Sequence, residues 1–134
     1  MKPFRLFICS LLIASAFSTP LDDYVNKPDQ HYTWSVKDYT LPGSSFHKNL
    51  TGYVIDMTSQ KWLDESYVNR PVWRHALVVI IPEEVEITDT AFMYVGGGGN
   101  DHFPKDWSDK ELMLTASTAS AARMIGAMIF QIPN

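Results

Sequence analysis

Two stretches of the chain alternate apolar and polar residues with a period of two, which is the pattern of a half-buried β-strand. The first runs from Tyr32 to Lys37 and the second from Tyr53 to Thr58. The turn-forming sequence Leu-Pro-Gly-Ser-Ser lies between them at 41–45. We therefore predict two strands, each with one face in a core.

A third stretch is apolar at nearly every position. Residues 73–81 end in a β-branched run, and Pro82 stops the pattern. Continuous apolar runs of this length are typical of a strand covered on both faces. After an acidic connection, residues 90–95 are predicted to form another apolar strand, and four consecutive glycines follow it.

A helix is predicted after the glycines, because Ser108 and Glu111 have the spacing of a capping box. The positions that keep helical spacing are Leu112, Ala116, Ala119, Ala122 and Arg123. Gly126 suits the end of that helix, and residues 127–132 form a further strand, which Pro133 stops. Strand, glycine loop, helix and strand make one βαβ unit with a right-handed crossover and parallel strands. The predicted fold class is α/β.

The N-terminus has the three parts of an export signal. Lys2 and Arg5 precede the apolar run 6–14, and small residues follow it. Residues 1–18 are therefore predicted to be a secretory signal peptide, cleaved between Ser18 and Thr19, with a cut two residues earlier as the alternative. The protein is expected to be secreted.

Two more regions complete the predicted organisation. Residues 19–31 are polar and contain two prolines, so we expect an extended N-terminal arm. Residues 32–134 then form one α/β domain. No later apolar run suggests a membrane span, and the signal itself is too short for a bilayer crossing of about 20 residues.

Cysteine usage and a sequon fit an extracellular protein. The chain has 1 cysteine, Cys9, which would leave with the signal, so neither a disulfide nor a zinc site with cysteine ligands is expected. Asn49-Leu50-Thr51 is an acceptor sequence for N-glycosylation among turn residues. We predict Asn49 as the glycan site of a glycoprotein.

Charge argues against two classes of partner. The formal net charge is −4, from 11 basic and 15 acidic residues, and signal removal takes away two of the basic ones. A duplex-binding protein needs a basic face to neutralise phosphates, and anionic membranes likewise attract basic segments. Neither nucleic acid nor a lipid surface is therefore expected as a partner.

The glycine loop, formed by Gly96, Gly97, Gly98, Gly99 and Asn100, is the most informative motif. One interpretation is a sharp turn that needs positive φ. A dinucleotide loop fits poorly, since Asp101 stands where a third glycine belongs and the helix begins only near residue 108. A third interpretation is an oxyanion loop, in which backbone N–H groups converge on a developing negative oxygen.

Other candidate groups have no assigned chemistry. The sequence contains no Gly-x-Ser-x-Gly elbow, and Ser117 and Ser120 lie in the middle of the predicted helix. His75 lies in an apolar strand and is predicted to be a core histidine, or one that supports a site residue, rather than a catalytic base. Asp101 and His102 are adjacent but lack a second pair of ligands, so no metal or cofactor site is predicted.

Several segments together resemble the PhoPQ-activated pathogenicity-related proteins, a family that includes secreted repressors of cell proliferation. The matching segments keep the family's order over nearly all of the mature chain, and they are 19–29, 57–62, 70–75, 96–100 and 131–134. The resemblance implies the N-terminal part of a larger α/β-hydrolase-like fold, with a mixed sheet of about five strands. It assigns Gly96 to Asn100 as the equivalent of the oxyanion loop. It assigns no catalytic residue, because the family's nucleophile, acid and base lie beyond Asn134.

The family topology also implies how the strands are ordered. Strand 127–132 is expected between the strand that ends at Ile81 and strand 90–95. The strand that bears the nucleophile would then pair on the open side of 90–95. Without it, a long apolar edge is exposed and available for self-association, and its residues are Ala91, Phe92, Met93, Tyr94 and Val95.

Three functional hypotheses follow from the sequence. The first is a secreted α/β-hydrolase-like fragment without catalysis of its own. The second is a secreted signalling or binding factor that represses cell proliferation through a cell-surface receptor. The third is a serine esterase or peptidase active on this chain alone.

Overall fold

The structure, a computed structural model, describes residues 19–43 and 48–133. The predicted signal peptide, Cys9 and the serines of the 41–45 turn lie outside the described residues. The predictions made for them stay predictions.

Within the described residues, five strands form one mixed sheet, and two helices accompany it. The strands are β1 (Thr33–Leu41), β2 (Leu50–Lys61), β3 (Val72–Pro82), β4 (Ile87–Val95) and β5 (Met124–Ile129), and the helices are α1 (Pro20–Asn26) and α2 (Lys110–Ala122). The α/β class and the five-stranded sheet are confirmed.

The sheet has the order β1-β2-β3-β5-β4. All neighbouring pairs are antiparallel except β4 and β5, which are parallel and joined through α2. The parallel βαβ unit is therefore confirmed, and so is the predicted position of its second strand between β3 and β4. β5 begins at Met124 and ends at Ile129 rather than spanning 127–132, because the backbone at Gln131 turns to φ 60°.

The segment 19–31 was predicted to be an extended arm, and this is wrong for its first half, which is α1. Thr19 caps the helix by accepting a hydrogen bond from the Asp22 N–H, and the Asp22 side chain bonds back to Thr19. Pro20 stands at the first helical position, where its missing N–H costs nothing. This capping box has a sequence signature, Thr-x-x-Asp.

The ends of α2 also differ from the prediction. The cap is Asp109 rather than Ser108, since the Asp109 carboxylate accepts the Leu112 N–H. The helix ends at Ala122 rather than near Gly126, and Arg123 follows it as the C-cap in the left-handed conformation. Gly126 instead lies in β5, where an added Cβ would come within 3.1 Å of the Ala119 Cβ. Glycine at this position lets α2 contact the sheet closely.

The two faces of the sheet have different surroundings. The covered face packs against α2 and Trp107 in a single buried core, whose sheet residues include Val54, Val78, Ile80 and Met128. The other face, here called the open face, is defined by Trp34, Val36, Tyr53, Met93 and Val95, which are 40–58% exposed. β3 was predicted to be covered on both faces, and this is wrong, since its alternate residues Leu77, Val79 and Ile81 are only half-buried.

β4 is an edge strand of the described sheet and pairs only with β5. Of residues 91–95, only Phe92 is half-buried, and the others are exposed. The predicted apolar edge is therefore confirmed. Among the described residues, no helix is long and apolar enough to cross a membrane.

Candidate functional site

The carboxyl ends of β4 and β5 open onto a cavity of about 820 Å³. The glycine loop forms one wall, the start of α2 another, and Phe130 and Gln131 part of the floor. In α/β sheets, ligands characteristically bind beyond the carboxyl ends of the strands. The glycine loop thus lies where a ligand site is expected in this fold class.

Hydrogen bonds to the segment after β5 fix the start of the loop. The Gly96 N–H donates to the Ile129 carbonyl at 2.8 Å. The carbonyls of Gly96 and Gly97 accept from the backbone N–H groups of Ile132 and Gln131 at 3.1 and 3.0 Å. Gly98 has φ +116°, a conformation that side-chain-bearing residues rarely adopt. The predicted need for positive φ is therefore confirmed at Gly98.

The side chain of Gln131 fixes the rest of the loop from below. It is 2% exposed, and its Oε1 accepts the Ala76 N–H of β3 at 2.7 Å. Its Nε2 donates to the carbonyls of Gly99 and His102 at 3.3 and 2.6 Å. In residues 97–99, the backbone groups that form hydrogen bonds are therefore carbonyls, those of Gly97 and Gly99. The N–H groups of these three glycines have no acceptor among the described residues.

His75 supports Gln131 from the other side. It is 1% exposed, and its Nδ1 lies 3.2 Å from the carbonyls of both Phe130 and Gln131. Two acceptors at Nδ1 require the proton there, so Nε2 accepts the Ser59 hydroxyl at 2.9 Å. Burial lowers the pKa of His75, and the two carbonyls oppose that shift only partly. The ring is therefore neutral and buried, as predicted for a core histidine, and it joins Ser59 to the backbone of Phe130 and Gln131.

A β-bulge directs Ser59 toward His75. Thr58 pairs with Arg74 and Gln60 with Trp73, so Ser59 is the extra residue on β2. Bulges re-aim side chains in this way and are frequent next to functional sites. Ser59 lines a separate cavity of about 680 Å³ beside α1, and the glycine loop does not reach that cavity.

Ion pairs anchor the far end of the loop. Asp101 accepts a hydrogen bond from Arg70 at 2.7 Å, and Arg74 lies 3.6 Å from the same carboxylate. Arg74 also forms two hydrogen bonds with Asp56, which Lys37 contacts at 2.8 Å. The hydrogen bonds from Arg74 are the largest cause of the low pKa of Asp56, which is lowered to about 2. The Arg70 hydrogen bond likewise lowers the pKa of Asp101.

The structure does not bring all the predicted site residues together. Gly96 to Gly99 line the cavity together with Gln131, whereas Asn100 does not, and Asn49 lies exposed in the turn before β2. Ser117 donates to the Met113 carbonyl within α2. No three histidine, cysteine, aspartate or glutamate side chains of the described ranges lie together in a way that could hold a metal ion.

Sequence reasoning missed Gln131 and Ser59. Gln131 carried a signal, since it is a polar residue between Phe130 and Ile132 in an otherwise apolar run. Ser59 carried none, because its role depends on a bulge that the alternation of residues does not reveal.

Two comparisons with known proteins identify relatives. Residues 21–134 match the model of the family described as PhoPQ-activated pathogenicity-related protein. The chain is also 37% identical over 134 residues to autocrine proliferation repressor protein A of Dictyostelium discoideum. That match covers 100% of this chain but 25% of the relative, so the chain spans a quarter of the relative's length. No solved structure matches the chain.

The role of Gln131 is tested by Gln131→Glu. A carboxylate keeps an acceptor for the Ala76 N–H but offers no donor to the carbonyls of Gly99 and His102. Two lost hydrogen bonds, each worth roughly 1 kcal/mol, are expected to raise hydrogen exchange about tenfold or more at the amides of Gly96, Gln131 and Ile132, whose N–H groups form the hydrogen bonds between the loop and the segment after β5. Gln30→Glu, at an exposed glutamine, is the matched control. Unchanged exchange at these amides of the Gln131 variant would contradict the assignment.

Proposed function

The chain belongs to the PhoPQ-activated pathogenicity-related protein family, and we propose that it forms the oxyanion-loop part of an α/β-hydrolase-like domain. One observation carries the proposal. The carbonyls of Gly96, Gly97 and Gly99 accept hydrogen bonds from the segment after β5, and the N–H groups of residues 97–99 are left without protein acceptors among the described residues. A loop in this state offers donors, which is what an oxyanion requires.

The sheet topology supports this assignment. In α/β-hydrolases, an oxyanion N–H comes from the loop between a central strand and the following helix. The glycine loop follows β4 and precedes α2, and the chain then returns through β5 as a parallel neighbour of β4. The free edge of β4 is where a further parallel strand carrying the nucleophile would pair.

The chemistry is that of acyl transfer. Attack on an ester or amide carbonyl places negative charge on its oxygen, and preorganised N–H donors stabilise that charge more than they stabilise the substrate. Gln131 and His75 fix the loop before substrate arrives, so the donors need no reorganisation during the reaction. Removing one such donor costs roughly 3 kcal/mol in characterised hydrolases.

We further propose that catalysis requires groups beyond the described residues. Ser59 contacts an imidazole, but it lines the cavity beside α1, whereas the oxyanion donors line the cavity at β4 and β5. A nucleophile must lie within reach of both its base and the oxyanion donors. In this proposal the chain is secreted after loss of residues 1–18, and the exposed Asn49 carries a glycan.

An anion that mimics the tetrahedral intermediate tests the oxyanion loop. Titration with an alkylphosphonate is expected to shift the amide NMR resonances of Gly97, Gly98 and Gly99 saturably. Gly98→Ala introduces strain at φ +116° and is expected to weaken binding at least about tenfold, the effect of roughly 1–2 kcal/mol of backbone strain. Gly99→Ala is the control, because an added Cβ there meets no atom within 4 Å. Absent shifts, or equal binding by the Gly98 variant, would refute the proposal.

A second candidate function is repression of cell proliferation by a secreted factor. It is favoured by the 37% identity to a relative named as an autocrine proliferation repressor. Purified protein added to growing cells of its source organism is expected to slow division in a dose-dependent manner. Heat-denatured protein is the control, and an unchanged growth rate over the dose range would exclude this function for the chain alone.

A further inference from the structure

Ser59 and His75 form a hydrogen-bonded pair outside the glycine loop. The Ser59 hydroxyl lies 2.9 Å from Nε2 of His75. The backbone carbonyls of Phe130 and Gln131 both lie 3.2 Å from Nδ1, so the proton of the neutral ring is on Nδ1 and Nε2 is the acceptor. A hydroxyl that donates to an imidazole whose other nitrogen is oriented by a third group is the arrangement of an activated nucleophile. Here the two carbonyls stand where a Ser-His-Asp triad has its carboxylate.

The two members of the pair differ in their access to a ligand. His75 is 1% exposed, so it is shielded from water. Ser59 is half-buried and lines the cavity of about 680 Å³ beside α1. Its hydroxyl can therefore give up a proton on the buried side and attack a carbonyl carbon on the side of the cavity.

The cavity beside α1 has two walls that hydrogen bonds hold together. One wall is the segment 24–32, and the other is the end of β2. The Tyr24 hydroxyl donates to Oε1 of Gln60 at 2.9 Å, and the Asp29 carboxylate accepts the Lys61 N–H at 2.7 Å. The described residues alone thus form this cavity, with Ser59 at its surface.

The lining of the cavity suits a small acyl group that carries a good leaving group. Val25, Pro28 and Leu63 offer apolar contacts to an alkyl chain. The glycine loop does not line this cavity, so its N–H groups cannot stabilise a tetrahedral intermediate on Ser59. Loss of one oxyanion donor slows acyl transfer by roughly 10²–10³-fold, so only an activated acyl donor is expected to react here.

We propose that Ser59 is an acyl-acceptor site, whose hydroxyl takes one acyl group from an activated ester or thioester while His75 accepts the hydroxyl proton. A bond forms between Oγ and the carbonyl carbon, and the bond from that carbon to the leaving oxygen or sulfur breaks. The proton passes through Nε2 of His75 to the leaving group, and no atom is oxidised or reduced. The product is an alkyl ester without a good leaving group, so the adduct persists and does not turn over. The proposal does not rest on the oxyanion loop.

The surroundings of His75 predict how this reaction depends on pH. The elements packed on the ring contribute two backbone carbonyls, the Ser59 hydroxyl and the Trp73 ring. The titratable side chains that line the cavity are Tyr24, Lys27, Asp29, His31, Tyr32 and Lys61. Burial lowers the pKa of His75 below its ordinary 6.5. Only the neutral ring accepts a proton, so the acylation rate is expected to rise with that pKa as its midpoint and then to level off.

Acetylation of the purified chain by p-nitrophenyl acetate tests the proposal. Tandem mass spectrometry is expected to find an acetyl group on Ser59, and Ser59→Ala is expected to lose it. Ser66→Ala is the matched control, because the Ser66 hydroxyl donates to the Asp64 carboxylate rather than to an imidazole. This variant is expected to acetylate Ser59 at the wild-type rate.

His75→Gln tests the base. A positioned general base contributes about 10²–10⁴-fold, so the acetylation rate at Ser59 is expected to fall at least about 100-fold. His31→Gln is the control, since His31 lines the same cavity but bonds to Asp29. The pH profile of the wild-type chain is the second measurement, and it keeps the test valid if the buried His75 variant does not fold. Its midpoint is expected to equal the NMR midpoint of the His75 ring.

Four results would each overturn the proposal. They are acetylation confined to lysine side chains, an unchanged rate in folded His75→Gln, a rate at Ser59 that keeps rising with pH without a plateau, and continuous release of p-nitrophenolate that depends on Ser59. The last result would show turnover in place of a persistent adduct. None of the four depends on whether the glycine loop binds a phosphonate, so the two proposals fail separately.

Discussion

The buried side chain of Gln131 is the contact on which the candidate site depends. Its three hydrogen bonds join the β3 backbone at Ala76 to the carbonyls of Gly99 and His102. An amide is suited to this position, since it accepts from the strand and donates to the loop at once. Because Gln131 bonds to carbonyls of the loop, the glycine N–H groups stay available to a ligand. His75 in turn holds Gln131, since its ring Nδ1 contacts the Gln131 backbone carbonyl.

A second constraint is that the sheet is covered on one face only. Gly126 lets α2 pack closely on the covered face, and the core forms there. The open face keeps exposed apolar side chains on β1, β2 and β4. Site and surface are therefore separate features of one sheet, because the site lies at the ends of β4 and β5 and the surface lies across the strands.

Much of the fold could be predicted from the sequence, because period-2 alternation and the glycine loop are local signals. The parallel pairing of β4 with β5 followed from the order of elements. The helix α1 was not predicted although Thr19 and Asp22 have the spacing of a capping box, because the two prolines of this segment favour extended backbone. The connection from Ser59 through His75 to Gln131 could not be predicted, because it depends on a bulge and on contacts between residues 16 and 56 positions apart.

The most direct test of this network is an NMR titration of His75 together with the amides of Gln131 and Gly97. Since burial lowers the pKa of His75, its midpoint is expected below the ordinary 6.5. The unfolded chain then binds the proton more readily than the folded chain does. The stability of the fold is therefore lost as the pH falls from 6.5 toward the lowered pKa of the folded state. We expect the Gln131 and Gly97 amides to change with the same midpoint as the ring. A midpoint at or above 6.5, or amides that do not follow the ring, would contradict the account.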